Sequence, residues 1–260
     1  MSEILPPIVL SLSGHDPTGG AGIHADIEAI AAAGCHAASA ITCLTVQDTH
    51  NVQSLSPSDP RLFRQQAEAV MNDLPIAAIK IGLIGDTAVC REIIGIIAKH
   101  PTIPVVLDPV LAAGGGSDLT GEKLLDSIRS DLLPLVDLVT PNSEEARRLS
   151  DREDLAEAAQ EILSTGCSNV LITGTHENSE KVINTLYQGS VENIQSLEWL
   201  RLPRSYHGSG CTLASAIAAR IALGQPMLQA VTEAQEYTWQ TLNLANRFGS
   251  GQGLPSRLPN

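Results

Sequence analysis

Ile8-Val9-Leu10-Ser11-Leu12 runs into Ser13-Gly14-His15-Asp16-Pro17-Thr18-Gly19-Gly20 and then into a segment marked by Ile23, Ile27 and Ile30. A short apolar run, a turn rich in Gly and Pro, and apolar residues three and four apart read as strand, loop and helix. The unit recurs. Ala37 to Thr42 reads as a strand, Pro60 to Leu74 as a helix, Ala77 to Ile81 as a strand and Thr87 to Lys99 as a helix. Val105-Val106-Leu107 stops at Asp108, and Leu135 to Thr140 stops at Pro141-Asn142. Ser143 to Leu149 and Leu155 to Thr165 read as helices, and Val170 to Thr173 stops at Gly174. Strands alternating with helices imply parallel pairing through right-handed crossovers. The predicted class is therefore α/β, a three-layer αβα sandwich on a mostly parallel central sheet, with ligands beyond the carboxyl ends of the strands. Segment 176–204 has poor periodicity and is expected to form strands or an irregular flap. With no linker or internal repeat, residues 1–260 read as a single domain.

Composition narrows the function. The formal charge of −13 argues against nonspecific binding to nucleic acid or anionic membrane, both of which need a positive field. A phosphate ligand would need local donors. Aromatic residues make up 3% of the chain, whereas Ala, Ile, Leu and Val are plentiful, which suits helices packed on a parallel sheet. Cys35, Cys43, Cys90, Cys167 and Cys211 are scattered, with no Cys-x-x-Cys pair, which suggests a reducing compartment. Met1-Ser2-Glu3 opens without a basic segment and no apolar run approaches the roughly 20 residues of a membrane span, so a soluble, cytoplasmic protein is expected.

Ser205-Tyr206-His207-Gly208-Ser209-Gly210-Cys211-Thr212 leads into Leu213, Ile217 and Ile221, an amphipathic helix. Gly208 and Gly210 let the backbone turn tightly, and the first helical turn leaves N–H groups without intrahelical partners. Those donors and the helix dipole suit a phosphate or a phosphoryl transition state, with a thiol at the edge. The same string also suits a plain turn with Cys211 as a small buried residue. It is neither of two known nucleotide fingerprints, since it continues to Leu213 without a third glycine and the chain has no Gly-x-x-x-x-Gly-Lys-Ser/Thr.

The remaining polar candidates fall at strand ends. Asp108, just before Pro109, is placed to face the catalytic edge or to cap a turn. Asn142 and Glu145 open a helix and can share a face, as a capping box, as holders of a hydrated magnesium ion, or as both. Gln47 offers a donor and an acceptor side by side, complementary to a ring nitrogen beside an amino group. Asp26 lies about 60° from the Ile23, Ile27, Ile30 stripe, at the border of buried and open surface. Gly114-Gly115-Gly116 predicts a mobile loop.

Together these segments resemble the hydroxymethylpyrimidine and phosphomethylpyrimidine kinases of the ribokinase-like superfamily. The resemblance is carried by Ser13 to Asp26, Leu44 to Thr49, Lys80-Ile81-Gly82, Leu107 to Val110, Thr140 to Glu145 and His207 to Thr212, in matching order and spacing over nearly the whole chain. It implies an ATP- and Mg²⁺-dependent kinase acting on a small aminopyrimidine, and a homodimer. Gly14, Asp16, Gly20, Gln47, Leu83 and Val110 would form the pyrimidine site, with Asp26 in support. Asp108 and Glu145 would organise magnesium, Asn142, Thr173 and His207 would serve the nucleotide, and Gly208, Ser209 and Gly210 would form an anion hole. Cys211 would be the catalytic base, an aspartate in relatives that act on sugars, with its thiolate favoured by the helix start and opposed by nearby phosphates. The family's Val-Lys-Gly-Gly-His stands here as Ile172-Thr173-Gly174-Thr175-His176, without the lysine, and Ala112 to Gly116 replaces a Ser-Gly turn. The flap has Asn184-Thr185 where an Asp precedes Leu-Tyr. Two other functions stay open: a pyridoxal or pyridoxine kinase, and a catalytically weak pyrimidine sensor.

Overall fold

A computed structural model describes residues 5–258. One nine-stranded sheet runs in the order β3-β2-β1-β4-β5-β6-β7-β8-β9. Its centre comprises β2 (His36–Gln47), β1 (Ile8–His15), β4 (Ile76–Ile81), β5 (Val105–Leu107), β6 (Leu138–Val139) and β7 (Asn169–Thr173), all paired in parallel. Antiparallel strands flank it: β3 (Val52–Pro57) at one edge, β8 (Lys181–Gln188) and β9 (Ser190–Leu200) at the other. Segment 176–204 is thus chiefly a β-hairpin.

Alternation along the strands sorts side chains between two helical layers. Leu10 and Leu12 of β1 join Ile79, Ile81 and Leu107 under α2 (Pro60–Asp73), α3 (Thr87–Ala98), α4 (Glu122–Ser127), α5 (Ser143–Ser150) and α6 (Leu155–Ser164). Val9, Ala78, Val106 and Leu138 face the other way, against α1 (Gly22–Ala32), α7 (Ser209–Ala222) and α8 (Met227–Asn243). The fold is the expected three-layer sandwich. Short 3₁₀ and π turns follow α4 over 128–135, and β3, α4 and α8 add to the elements read from the sequence.

Three local differences have physical causes. The strands β1 and β2 run to His15 and Gln47, past the expected ends at Leu12 and Thr42, because a register shift near Ser13 and pairing with β3 prolong the ladders. Helix α1 buries Ala25 and Ala29 with Asp26 and leaves Ile27 42% exposed. Small residues allow close approach to α7, so the buried face keeps Ile23 and Ile30 and extends to Asp26 in place of Ile27. The Gly114-Gly115-Gly116 segment is docked rather than open: Ala113 N–H donates to Ser117 O, and Asn51 Nδ2 donates to Gly115 O. Gly116 adopts φ 92° to close that turn.

Candidate active site

All central strands end on one side of the sheet, where a cleft of about 430 Å³ opens. Gly14 lies near the end of β1 and Asp16 just after it, Gln47 ends β2, Leu83 follows β4, and Asp108 and Val110 follow β5; all line the cleft. Asn142 and Glu145 start α5, Thr173 ends β7, and His207 to Cys211 start α7; these line it too. The topology therefore gathers residues from seven segments into one cavity. Of the predicted site residues, Gly20 and Asp26 do not line it.

Gly208 takes φ 82°, and a Cβ there would collide with the Gly20 carbonyl. That backbone-on-backbone contact needs glycine and aims the amide groups of Ser209, Gly210 and Cys211 toward the cleft as orphan donors at the positive end of α7. A Cβ on Gly210 would lie 3.4 Å from Asp108 Oδ1, which shows how near the carboxylate sits to the helix start. Thr212 locks the turn, its N–H and hydroxyl both donating to Gly208 O, at 3.0 and 2.7 Å.

Asp16 organises the loop after β1. It accepts from Thr18 N–H and Ala21 N–H, both at 2.8 Å, and pairs with His207 Nε2 at 2.8 Å. Burial alone would raise its pKa, but His207, Gln47 and the Thr18 amide hold the carboxyl well below the usual range. It therefore stays ionised and ties the loop to the start of α7. Arg257 makes a second tie, with Nε donating to Thr212 Oγ1 at 2.8 Å, Nη1 pairing with Glu28 at 3.1 Å, and Nη2 donating to Gly20 O.

Asp26 is fully buried, not at a surface border. Its carboxylate accepts from Ser11 Oγ at 2.6 Å, Ser215 Oγ at 2.7 Å and Lys80 Nζ at 2.8 Å, and Lys80 also donates to Ser13 at 3.0 Å. Burial would lower the Lys80 pKa, but Asp26, Cys211 and Asp108 more than offset it and keep the ammonium charged. This ion pair forms the sealed floor beneath Cys211.

Burial and the neighbouring Asp108 carboxylate push the Cys211 thiol strongly up, with Lys80 and the Gly22 amide acting the other way. The expected thiolate preference is corrected: at neutral pH Cys211 is a protonated thiol, because it sits among carboxylates in low dielectric. Asp108 is raised by burial as well, and its Oδ2 has no partner. Glu145 rises to about 8 through burial and the Asp108 charge, against the amides of Asn142 and Leu111. Two buried carboxylates whose charged forms are disfavoured, one with an orphaned oxygen, fit a divalent cation. Among the described residues no three His, Cys, Asp or Glu cluster as a ready metal cage. Asn142 and Glu145 also form the capping box, each amide donating to the other's side chain at 2.9 Å.

The sequence model of phosphomethylpyrimidine kinase matches residues 16–256. The chain belongs to that kinase family. The hydroxymethylpyrimidine/phosphomethylpyrimidine kinase of Rhizobium meliloti is 34% identical, covering 95% of this chain and 94% of its own length. The one of Synechococcus elongatus is 36% identical, with 95% of each covered. A thiamine biosynthesis bifunctional protein of Geobacter sulfurreducens is 34% identical, and the chain spans 51% of it. Among solved structures, the Bacillus subtilis pyridoxal kinase in its ADP complex gives a TM-score of 0.89 at 27% identity, with 97% of both chains covered. The phosphomethylpyrimidine kinase of Clostridium difficile gives 0.78 at 30%, covering 89% of this chain and 97% of that one. The fold is ribokinase-like.

Sequence reasoning missed part of this kinase-family cleft. Trp199 and Trp239 stack with ring centroids 6.5 Å apart and line it. Trp199 Nε1 and Asn184 Nδ2 both donate to Gln235 Oε1, at 3.0 and 2.8 Å. The chain has 2 tryptophans, and that scarcity was the available signal. The polar floor had one too: Ser11 and Ser13 alternate with Leu10 and Leu12, and Lys80 interrupts an apolar strand.

Proposed function

We propose that this protein phosphorylates 4-amino-5-hydroxymethyl-2-methylpyrimidine, its monophosphate, or both, with MgATP as donor, in thiamine biosynthesis. The observation that carries this reading is the convergence of the α7 amide cradle, Asp108, Cys211 and the Asp16–Gln47 wall on one cleft, in a chain of this family. Gln47, Gly14, Leu83 and Val110 would hold the pyrimidine, and Asp16 keeps their loop in place. Gly20 and Asp26 would act from behind it, through the Gly208 contact and the Lys80 pair. The stacked Trp199 and Trp239 offer a flat apolar wall for a nucleotide base, with Thr173, Asn142 and His207 toward its phosphates. Asp108 and Glu145 would hold magnesium with its waters, and the ion, when bound, neutralises phosphate charge.

The chain's own contribution is positioning and charge stabilisation, as phosphoryl transfer requires. Amides at Gly208 to Cys211 point at developing negative charge, and the ties of Asp16 and Arg257 prevent the two substrate halves from drifting apart. Cys211 rests protonated against Asp108, so it accepts the substrate hydroxyl proton only as its own proton passes to that carboxylate. The O–H and the original S–H bonds break while a new S–H and a carboxyl O–H form.

ADP release with the hydroxymethylpyrimidine, its monophosphate, pyridoxal and pyridoxine tests the reading. Turnover confined to the pyrimidines supports it. Pyridoxal turnover would favour the second reading, which rests on the TM-score of 0.89 to a pyridoxal kinase. Cys211→Ala is expected to lower kcat at least a hundredfold while nucleotide affinity stays within about twofold; unchanged kcat would remove Cys211 from the mechanism. A homodimer belongs to the same proposal, since Leu44 and Val46 stand 53% and 58% exposed on β2 and a second copy would cover them. Sedimentation velocity gives the mass, and a monomer at micromolar concentration would refute the dimer.

A further inference from the structure

A polyphosphate needs fixed donors, and a chain with net charge −13 must supply them locally. Three carboxylates, Asp16, Asp108 and Glu145, already line the cleft. Thr173, at the end of β7, contributes a neutral hydroxyl. Among the described residues, the Lys and Arg side chains that line the cleft are those of Arg201 and Arg204; Lys80 is sealed beneath it.

These two arginines differ in what they already hold. Arg201 is committed to backbone carbonyls: Nε to Ser179 O at 2.9 Å, Nη1 to Thr175 O at 2.6 Å and Nη2 to Glu177 O at 2.8 Å. It staples the loop after β7 and has little left for a ligand. Arg204 is exposed and has no hydrogen bond or ion pair to any described residue. Its root is nonetheless fixed. Gly253 N–H donates to Ser205 O, and His207 N–H donates to Gly253 O, both at 3.0 Å. A guanidinium with open donors therefore projects from an anchored segment.

The place of that segment names the ligand. It leads from Trp199, which lines the cleft stacked on Trp239, to Gly208, where the α7 amides begin. A nucleotide with its base at the first and its terminal phosphate at the second runs its remaining phosphates along this stretch. We propose that Arg204 binds the phosphates of the nucleoside di- or triphosphate, supplying the cationic contact that Thr173 does not. The proposal rests on the kinase reading above. Arginine suits the task because its planar fork bonds two phosphate oxygens at once.

Titration calorimetry with ADP, AMP and adenosine, in magnesium, tests it on wild type, Arg204→Ala, Arg204→Lys and Arg204→Ala with Thr173→Lys. The alanine variant is expected to bind ADP about tenfold or more weakly, as for loss of one charge-assisted contact, and adenosine unchanged. Lysine at 204 keeps most of the affinity, and lysine at 173 restores part of it. Equal ADP affinity in the alanine variant overturns the proposal. So does an equal loss for ADP and adenosine, which marks a structural role. A KM increase confined to the phosphorylated pyrimidine also overturns it, by moving Arg204 to the other substrate. Wild-type protein that binds none of the three nucleotides refutes the kinase reading itself, a result distinct from the others.

Discussion

Lys80 and Asp26 form a buried ion pair at 2.8 Å, and the pair serves neither ligand directly. Three serine hydroxyls complete its hydrogen bonds, so both charges are satisfied away from water. Its use lies in what it supports. The ammonium is the positive charge that partly offsets Asp108 at Cys211, and so restrains a thiol that burial pushes up. Asp26→Asn leaves that ammonium buried without its principal counter-charge. Urea unfolding is expected to show a loss of about 3 kcal/mol or more, whereas replacing both partners by apolar residues costs much less. A loss below about 1 kcal/mol in Asp26→Asn would show that water or Asp108 replaces the partner. Asp26 could be noticed in the sequence as an acid near an apolar stripe. Its burial could not, because the partner lies 54 residues away, on strand β4.

At the scale of elements, legibility followed periodicity. The central strands and α1 to α3 were readable because apolar spacing and turn residues agree there, although the strand expected over Leu135 to Thr140 is only Leu138–Val139, with Leu135 in a 3₁₀ turn, and the observed ends of α2 and α3 fall one residue short of the expected ones. Strand β3 was not readable: its side chains are largely exposed, so no alternation marks it, and it exists because β2 offers an edge. The hairpin β8–β9 likewise has an exposed outer strand and poor pattern. Helix α7 shows the opposite case. Its Gly208 to Cys211 start could be read from glycine spacing and an apolar stripe, and the structure adds the reason that Gly208 must be glycine. The candidate site was legible wherever its residues sit at strand ends, as Asp108, Asn142 and Thr173 do. It was illegible wherever a distant side chain completes it, as Arg257, Gln235 and the two tryptophans do.

The whole molecule joins two halves of a site whose residues are far apart in the chain, and the Asp16–His207 contact at 2.8 Å is one of the joints. That joint has a consequence for acid stability. As pH falls from neutrality toward the isoelectric point near 4.8, the net charge of −13 is neutralised and self-repulsion relaxes. Below that, Asp16 acts in the opposite sense. Its folded-state pKa lies below the unfolded value of 3.8, so beneath 3.8 the unfolded chain takes up a proton that the folded chain does not. Its stabilisation is complete above 3.8 and is lost as pH falls through the depressed folded value. Asp16→Asn removes this contribution at every pH above that window. Thermal melts from pH 2 to 7 should therefore show the variant less stable than wild type near neutrality, with the two curves converging toward the acid end. Curves that stay parallel down to pH 2 would show that the His207 contact does not hold the two halves together.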